Sequence, residues 1–209
     1  IAAKIIVDNG LIIDNLHGVL YIFEINRLLA NLLTIFIIVA IINAINFIDG
    51  IDGLAISIVL IFICLFELFS NNITPFLNFS ILLSVSTIFL IYFNLRKDNK
   101  IFLGDSGSHF FGGVISIYTI YILSQDYIIK ESYDLHKILF VISILSYPII
   151  DIIRVVFLRI RKGKSPFEAD KNHIHHLILK KTKSHLITTI SIIIFTIIIL
   201  LLLQTNNLL

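Results

Sequence analysis

Long apolar runs alternate with short polar segments along the whole chain. Crossing the hydrocarbon core of a bilayer takes about 20 apolar residues as a helix, and only helices or closed barrels satisfy the backbone there. The pattern therefore predicts an all-α, polytopic membrane bundle of about six full transmembrane helices, forming one domain over residues 1–209. The predicted helices lie at about 28–48, 54–70, 76–95, 107–124, 137–160 and 186–203.

Composition supports a membrane protein. Apolar residues make up 57% of the chain and charged residues 14%, and the mean hydropathy of +0.98 lies far outside the range of soluble domains. The net charge is only +2, and we expect no nucleic-acid partner. The single cysteine, Cys64, leaves neither a disulfide framework nor a cysteine metal site.

The beginning of the chain has two notable features. Methionine is absent, so we expect the true N-terminus to lie upstream, with residues 1–9 as the exit end of an earlier span. Between this segment and the first full helix, Gly10, Asn15 and Gly18 interrupt a β-branched pattern, which predicts a short hairpin or an irregular surface segment.

The charges predict which side of the membrane each loop occupies. The loops near 71–75 and 125–136 contain a single lysine or arginine, Lys130. The loops near 49–53, 96–106 and 161–185 together contain many basic residues. These are Arg96, Lys97, Lys100, Arg161, Lys162, Lys164, Lys171, Lys180, Lys181 and Lys183. By the positive-inside rule the basic group of loops is cytoplasmic, and it also contains every unusual polar motif of the chain.

The first motif, "NAINFIDGIDGLA", follows the first apolar run. Asn43, Asn46 and Asp49 are spaced three apart and climb one side of a helix end, and Asp52 follows. Amides and carboxylates at the bilayer edge are costly and usually functional. A glycine-capped helix end with solvated aspartates is the alternative, but it does not account for the asparagines.

The second motif, "FLGDSGSHFFGG", predicts a helix start. Ser106 and Ser108 are good N-cap residues, and Gly104 lets backbone N–H groups approach a ligand closely, as does Gly107. A helix N-terminus attracts phosphate, and Asp105 is the candidate to hold a metal ion beside it. A plain capped helix start remains the alternative.

The third motif, "RKGKSPFEADKNHIHHLIL", combines Arg161 and Lys164 with three histidines. His173, His175 and His176 are spaced too tightly for the usual i, i+4 zinc pair, and no cysteine assists them. Basic and imidazole groups facing a diphosphate fit better. The alternative is a solvated loop held by anionic lipid headgroups.

Charged residues also lie within the predicted spans. Asp151 and Arg154, three apart after Pro148, are expected to pair with each other or with a neighbouring helix in a structural role. Glu67 is expected to snorkel to the interface.

Together the three motifs place carboxylates, a phosphate-binding helix start and a basic, histidine-rich segment on one side of the membrane. Phosphoryl transfer to a lipid needs this combination: a hard cation, fixed donors for the phosphate oxygens, and access for the lipid. Mg²⁺ is the natural cation, because substrate oxygens and water complete its shell around one or two carboxylates.

The motifs resemble those of the polyprenyl-phosphate N-acetylhexosamine-1-phosphate transferases. "NAINFIDGIDGLA", "FLGDSGSHFFGG", "PIIDIIRV" and "RKGKSPFEADKNHIHHLIL" follow the order of that family. "ADKNHIHH" is more similar to the N-acetylglucosamine branch than to the phospho-N-acetylmuramoyl-pentapeptide transferases, which remain the alternative. A membrane carrier is the more remote alternative, since no repeated halves occur and the polar groups gather at the predicted cytoplasmic ends.

The resemblance implies a UDP-N-acetylhexosamine donor, undecaprenyl phosphate as acceptor, Mg²⁺ with Mn²⁺ as the alternative ion, and release of UMP, at the start of envelope polysaccharide synthesis such as that of lipopolysaccharide. It implies that Asp105 and Asp49 bind the metal, that Asn46 and Asp52 line the site, and that His175 and His176 lie near the donor. It implies the bacterial inner membrane, with the site facing the cytoplasm, and it allows a homodimer.

One family feature is missing from the sequence. Family members carry an adjacent aspartate pair on an earlier cytoplasmic loop, and no Asp-Asp occurs in the 209 residues. We expect this pair upstream of residue 1, so that the chain alone does not catalyse the reaction.

Overall fold

The computed structural model describes residues 10–123, 127, 135–165 and 172–205. The described residues form an all-helical bundle of eight α-helices, as the apolar pattern predicts. The helices are α1 (Arg27–Ile48), α2 (Leu54–Phe69), α3 (Leu77–Asn94), α4 (Gly104–Ile122), α5 (Leu135–Ile144), α6 (Ser146–Arg161), α7 (Ile174–Thr182) and α8 (His185–Thr205).

Among the described residues, three helices, α1, α3 and α8, are long and apolar enough to cross a membrane. The bent pair α5 and α6 is a fourth if it forms one span. Helix α2 is apolar but has only 16 residues. The prediction of a polytopic helical membrane protein is confirmed.

Helices α1 and α4 pack closely at the centre of the bundle. A Cβ built on Gly112 of α4 would lie 2.7 Å from the Cα of Ile42 in α1. One turn further along, the Ser116 hydroxyl donates to the carbonyl of Gly112 in its own helix at 2.7 Å and lies 3.4 Å from the carbonyl of Ile38. This close approach brings the end of α1 beside the beginning of α4. We call that end of the bundle the site end.

The opposite end of the bundle contains an aromatic cluster and a glutamate carboxylate that accepts hydrogen bonds. The ring of Phe66 stacks on Tyr118, with centroids 4.5 Å apart. Glu67 accepts hydrogen bonds from the hydroxyls of Thr74, at 2.8 Å, and Ser80. The expectation that Glu67 only snorkels to the interface is wrong, because its carboxylate joins α2 to the start of α3.

The predicted single helix over 137–160 is wrong, because α5 and α6 meet at a 70° bend. Proline has no N–H, and its ring clashes with the carbonyl four residues earlier in a helix. Pro148 therefore opposes a continuous helix through Ile144, which is where α5 ends. In α6, which begins at Ser146, Pro148 lies in the first turn, where proline is tolerated.

Helix α7 falls within the predicted loop 161–185. It has nine residues, of which five are polar, so a search for long apolar runs does not find it. It begins directly after His173 and carries His175 in its first turn.

The predicted hairpin before α1 is confirmed. Asn15 and Glu24 form an antiparallel bridge, and the N–H of Leu16 donates to the carbonyl of Phe23 at 2.7 Å. His17 anchors the hairpin to the end of α4 through a 2.8 Å hydrogen bond between Nε2 and the carbonyl of Leu123.

Candidate functional site

The first motif forms the turn between α1 and α2. Asp49 caps α1, and its N–H donates to the carbonyl of Asn46 at 3.2 Å. Gly53 has a left-handed φ of 74° and is the N-cap of α2. The turn is held by Asn94, a buried residue that sequence reasoning missed. Asn94 Oδ1 accepts the N–H of Gly53 at 2.6 Å, and its Nδ2 donates to the carbonyl of Ile101 at 2.7 Å.

The second motif begins α4 earlier than predicted. The helix starts at Gly104, whose φ of 66° turns the incoming chain, and no side chain caps it. The predicted N-cap roles of Ser106 and Ser108 are therefore wrong. Ser106 is exposed in the first turn, whereas Ser108 is buried and its hydroxyl donates to the carbonyl of Asp105 at 3.1 Å.

Asn46 connects the two motifs. Its Nδ2 donates to Ser108 Oγ at 2.8 Å and lies 3.3 Å from Asp105 Oδ1. The residues predicted from the two motifs thus meet at one place, although Asn46 and Ser108 are 62 residues apart in the chain.

Asp49 lies in the electrostatic field of Asp105. Burial and the negative charge of Asp105 raise the pKa of Asp49 to about 6. A hydrogen bond with the Gly104 backbone opposes this rise, and the charge of Asp52 adds to it least. The two carboxylates form an oxygen-rich donor set suited to a hard cation.

Asp52 is held by groups outside the first two motifs. Its carboxylate contacts Lys100 Nζ at 2.5 Å and His185 Nδ1 at 3.0 Å. Its backbone carbonyl accepts from the Thr189 hydroxyl at 3.0 Å. Asp52 therefore ties the turn to the start of α8, a contact for which the sequence carries no signal.

Helix α6 holds the third motif through two of its side chains. Asp151 accepts two hydrogen bonds at 2.7 Å, from His173 Nδ1 and from the N–H of Ile174. Arg154 Nη1 donates to the carbonyl of Asn172 at 2.6 Å. Asp151 and Arg154 were expected to pair with each other or with a neighbouring helix. The second alternative is confirmed for Asp151, because Ile174 begins α7, while Arg154 holds Asn172 just before that helix.

His175 is fully buried and reaches the turn of the first motif. Its Nδ1 lies 2.7 Å from the hydroxyl of Tyr147. A Cβ on Gly50 would lie 3.2 Å from His175 Nε2 and 3.4 Å from His176 Cε1. The histidine segment therefore touches the same turn that carries Asp49.

The surroundings of His175 disfavour its positive charge. Burial lowers its pKa from 6.5 to about 4, with the nearby His176 as the second cause. His175 is neutral at neutral pH, so it offers hydrogen bonds and not charge.

Asp151, His173 and His175 also bring ligand-capable atoms within 4.8 Å of one another. Two imidazoles and one carboxylate suit zinc better than magnesium. Both oxygens of Asp151 already accept hydrogen bonds, and Tyr147 contacts His175. The cluster is thus internally satisfied at these atoms without an ion.

The remaining predicted residues lie further out. Arg161 ends α6, Lys164 follows it three residues later, and both are exposed. Asn43 donates to the carbonyl of Val39 in its own helix at 2.7 Å. Its side chain also lines a cavity of about 300 Å³ shared with His173 and the buried Arg159, a residue that sequence reasoning missed.

A second, larger cavity of about 520 Å³ lies between the helices. Its lining is almost entirely apolar and comes from α1, α4, α5, α6 and the hairpin. Ala44 of α1 and Ile152 of α6 line it towards the site end, and Leu16 lines it at the hairpin.

The fold and the site define a class: a helical membrane protein that gathers amides, carboxylates and imidazoles at one end of its bundle. The model of the glycosyl transferase family 4 matches residues 1–123, and the chain belongs to this family. The matched region includes the motifs of Asn46 and Asp105 but not the histidine segment.

Several curated bacterial proteins are similar to parts of the chain. Three named undecaprenyl-phosphate alpha-N-acetylglucosaminyl 1-phosphate transferase come from Haemophilus influenzae, Pasteurella multocida and Escherichia coli K12. Their identities are 35% over 81 residues, 30% over 105 and 35% over 88. The matches cover 39%, 49% and 41% of this chain and 21%, 28% and 22% of the respective relatives. The chain thus matches less than a third of the length of these relatives.

Proposed function

We propose that the complete protein transfers N-acetylglucosamine-1-phosphate from its UDP-sugar to undecaprenyl phosphate and releases UMP. The observation that carries the proposal is the convergence of three distant segments at the site end. Asn46 of the first motif contacts Asp105 of the second, and Gly50 of the first motif lies against His175 of the third. The family membership and the names of the similar proteins support the same reaction.

Asp49 and Asp105 are the residues proposed to hold a divalent cation, Mg²⁺ or alternatively Mn²⁺. The fit rests on the donor chemistry, since the carboxylates stand close enough that Asp105 raises the pKa of Asp49. When bound, the cation neutralises the diphosphate and stabilises charge on the transferring phosphoryl group. Asn46 holds Asp105 in place through its amide.

The start of α4 is proposed to receive the donor phosphates. The first N–H groups of a helix have no partner within the helix and carry a partial positive charge, which favours phosphate. Gly104 has open space where a Cβ would stand, so a phosphate can approach the backbone there. Arg161 and Lys164 contribute longer-range attraction for the anionic substrates.

The imidazoles are proposed to orient the donor by hydrogen bonds. His175 is neutral, and its Nε2 is buried without a hydrogen-bond partner in the described part of the chain. A buried polar atom of this kind costs free energy unless a ligand satisfies it. His176 lies beside it against Gly50, and His173 lines the cavity that contains Asn43 and Arg159.

The apolar cavity is the proposed place for the polyprenyl chain of the acceptor. Its lining residues carry no charge, and the cavity runs from the hairpin to Ala44 near the site end. Burial of a long hydrocarbon chain there gains hydrophobic free energy and leaves the phosphate near the proposed cation site.

The protein is proposed to be a multi-pass protein of the bacterial inner membrane, with the site on the cytoplasmic face and residues 1–209 in one domain. The aspartate pair that would prepare the acceptor phosphate is proposed to lie elsewhere in the complete protein. The 209 residues alone are then inactive.

The test is a transfer assay on membranes that contain the complete protein, with labelled UDP-N-acetylglucosamine. Asp105→Asn is expected to lower label in the lipid fraction at least about tenfold, the loss of about 1.4 kcal/mol of transition-state stabilisation. Asp98→Asn is the matched control, because Asp98 is an exposed aspartate in the neighbouring loop. Unchanged product from Asp105→Asn at saturating Mg²⁺ would contradict the proposed site.

The same assay discriminates the donor. Label that enters the lipid only from the UDP-muramoyl-pentapeptide donor would favour the alternative branch. The similar proteins do not favour this outcome, since the three reported above carry the N-acetylglucosaminyl name.

A further inference from the structure

One face of α6 holds the histidine segment through three successive contacts. Tyr147, Asp151 and Arg154 are spaced four and three residues apart, which places them on the same side of a helix. The segment they contact runs in the opposite direction: Tyr147 meets residue 175, Asp151 meets 173–174, and Arg154 meets 172. The face therefore sets the register of the segment against α6.

Asp151 is the central contact and differs from the other two. It is 1% exposed, and its two oxygens accept from different groups. Oδ1 accepts the backbone N–H of Ile174, and Oδ2 accepts from His173 Nδ1. An ionised carboxylate has only acceptors, so Nδ1 of His173 must carry the hydrogen.

This contact fixes the tautomer of a ring that borders the cavity. With the hydrogen of a neutral imidazole on Nδ1, Nε2 is the acceptor. A carboxylate on Nδ1 also orients the ring, as in metal sites and in catalytic triads. His173 lines the cavity of Asn43 and Arg159, so Nε2 is the nitrogen left for a ligand there.

We propose that Asp151 is a positioning residue for the transfer reaction, which holds residues 172–175 in register and keeps His173 in the tautomer that leaves Nε2 as an acceptor. The proposal rests on the proposed function for the reaction itself. It assigns Asp151 no contact with substrate.

Arg154 provides the contrast. It holds the same segment, but through the carbonyl of Asn172, so it contributes to register and not to the tautomer. Removing Arg154 is expected to lower stability or membrane insertion more than turnover. Substitution of Asp151 therefore affects both the register of the segment and the tautomer of His173, whereas substitution of Arg154 affects the register alone.

The test is Asp151→Asn in the complete protein. The amide oxygen of asparagine still accepts the N–H of Ile174, while its NH₂ group faces His173 Nδ1. That nitrogen must then accept, and the hydrogen moves to Nε2. We expect kcat to fall at least about tenfold, with a smaller change in KM for the donor. Asp151→Glu, which retains a carboxylate, is expected to recover part of the loss.

A second readout does not depend on activity. In protein labelled with ¹⁵N-histidine, the His173 signals, assigned by their loss in His173→Gln, are expected to report hydrogen on Nδ1 in the wild type and on Nε2 in Asp151→Asn. Arg154→Lys is the control, because it keeps a cationic donor near Asn172 and should leave the His173 tautomer unchanged.

The outcomes separate the two proposals. Wild-type protein that shows the Nδ1–H tautomer but transfers nothing contradicts the proposed function only. Active wild-type protein with unchanged kcat in Asp151→Asn overturns the positioning role, and so does an Nε2–H tautomer in the wild type. If Asp151→Asn does not fold, the His173 tautomer measured in the wild type decides whether the positioning role holds.

Discussion

Asn46 donates a 2.8 Å hydrogen bond to Ser108 Oγ and so joins the end of α1 to the second turn of α4. The same nitrogen lies 3.3 Å from Asp105 Oδ1. Side-chain hydrogen bonds between membrane helices contribute about 0.6 kcal/mol on average, which is small beside the packing of α1 on α4. The main effect of this bond is therefore to fix where the Asp105 carboxylate stands.

We predict that Asn46→Ala lowers turnover more than it lowers stability. Without the amide, the buried Ser108 loses a partner and Asp105 loses its constraint, so we expect turnover to fall at least about tenfold. The loss of stability should be about 0.5–1.5 kcal/mol, the usual net value of one hydrogen bond. Label transfer to lipid measures the first quantity, and the thermal midpoint of the detergent-solubilised protein measures the second.

Asn43→Ala is the matched control for stability. Asn43 lies one turn earlier on α1, is exposed, and donates only within its own helix among the contacts described above. Its removal should leave the thermal midpoint nearly unchanged. Equal destabilisation by the two alanines would show that the contact between α1 and α4 does not depend on Asn46.

We predict that Gly112→Ala disrupts the bundle and that Gly113→Ala does not. The new Cβ at residue 112 would lie 2.7 Å from the Ile42 Cα, and backbone cannot move aside as a side chain can. At residue 113 no atom lies within 4 Å, and alanine is the better helix former. The yield of monodisperse protein after size-exclusion chromatography compares the two variants. Equal yields would mean that α1 and α4 are not in close contact.

The sequence predicts the site where local spacing determines the structure. Asn46 and Asp105 lie in motifs whose polar residues are unexpected at a bilayer edge, and both motifs reach the site. The N-cap assignment of Ser106 fails because Gly104 already turns the chain two residues earlier. The continuous helix over 137–160 fails because a search for apolar periodicity does not weigh Pro148 against the carbonyl of Ile144.

Contacts between distant segments could not be predicted in the same way. Asp151 and His173 are 22 residues apart across the connection between α6 and α7, and Asp52 and His185 are 133 apart. No local pattern encodes such pairs, because tertiary packing brings them together. The burial that makes His175 neutral likewise depends on α6 and on the turn at Gly50, and not on the sequence around the histidine.

We predict that the two ends of the bundle face opposite sides of the membrane. In a protein whose native Cys64 is replaced by alanine, Ser106→Cys should react with a membrane-impermeant maleimide only in inside-out vesicles. Asn72→Cys should react only from the other side. Both residues are exposed, so access and not burial decides the labelling. Labelling of both cysteines from the same side would contradict the proposed topology.

We predict that His175 makes stability depend on pH between about 4 and 6.5. Burial and His176 lower the pKa of His175 to about 4 in the folded chain, against the ordinary histidine value of 6.5, while Asp151 partly opposes this and His173 adds to it. In this window the unfolded chain binds more protons at this position than the folded chain, so stability rises with pH and falls on acidification. The contribution is on the order of 3 kcal/mol, since each pKa unit corresponds to about 1.4 kcal/mol.

His175→Gln keeps a polar side chain that does not titrate, and its thermal midpoint should therefore fall less than that of the wild type between pH 7 and pH 4.5. Parallel pH profiles for the two proteins would show that His175 does not lose its proton on folding and is not the buried neutral ring on which its proposed contact with the donor depends.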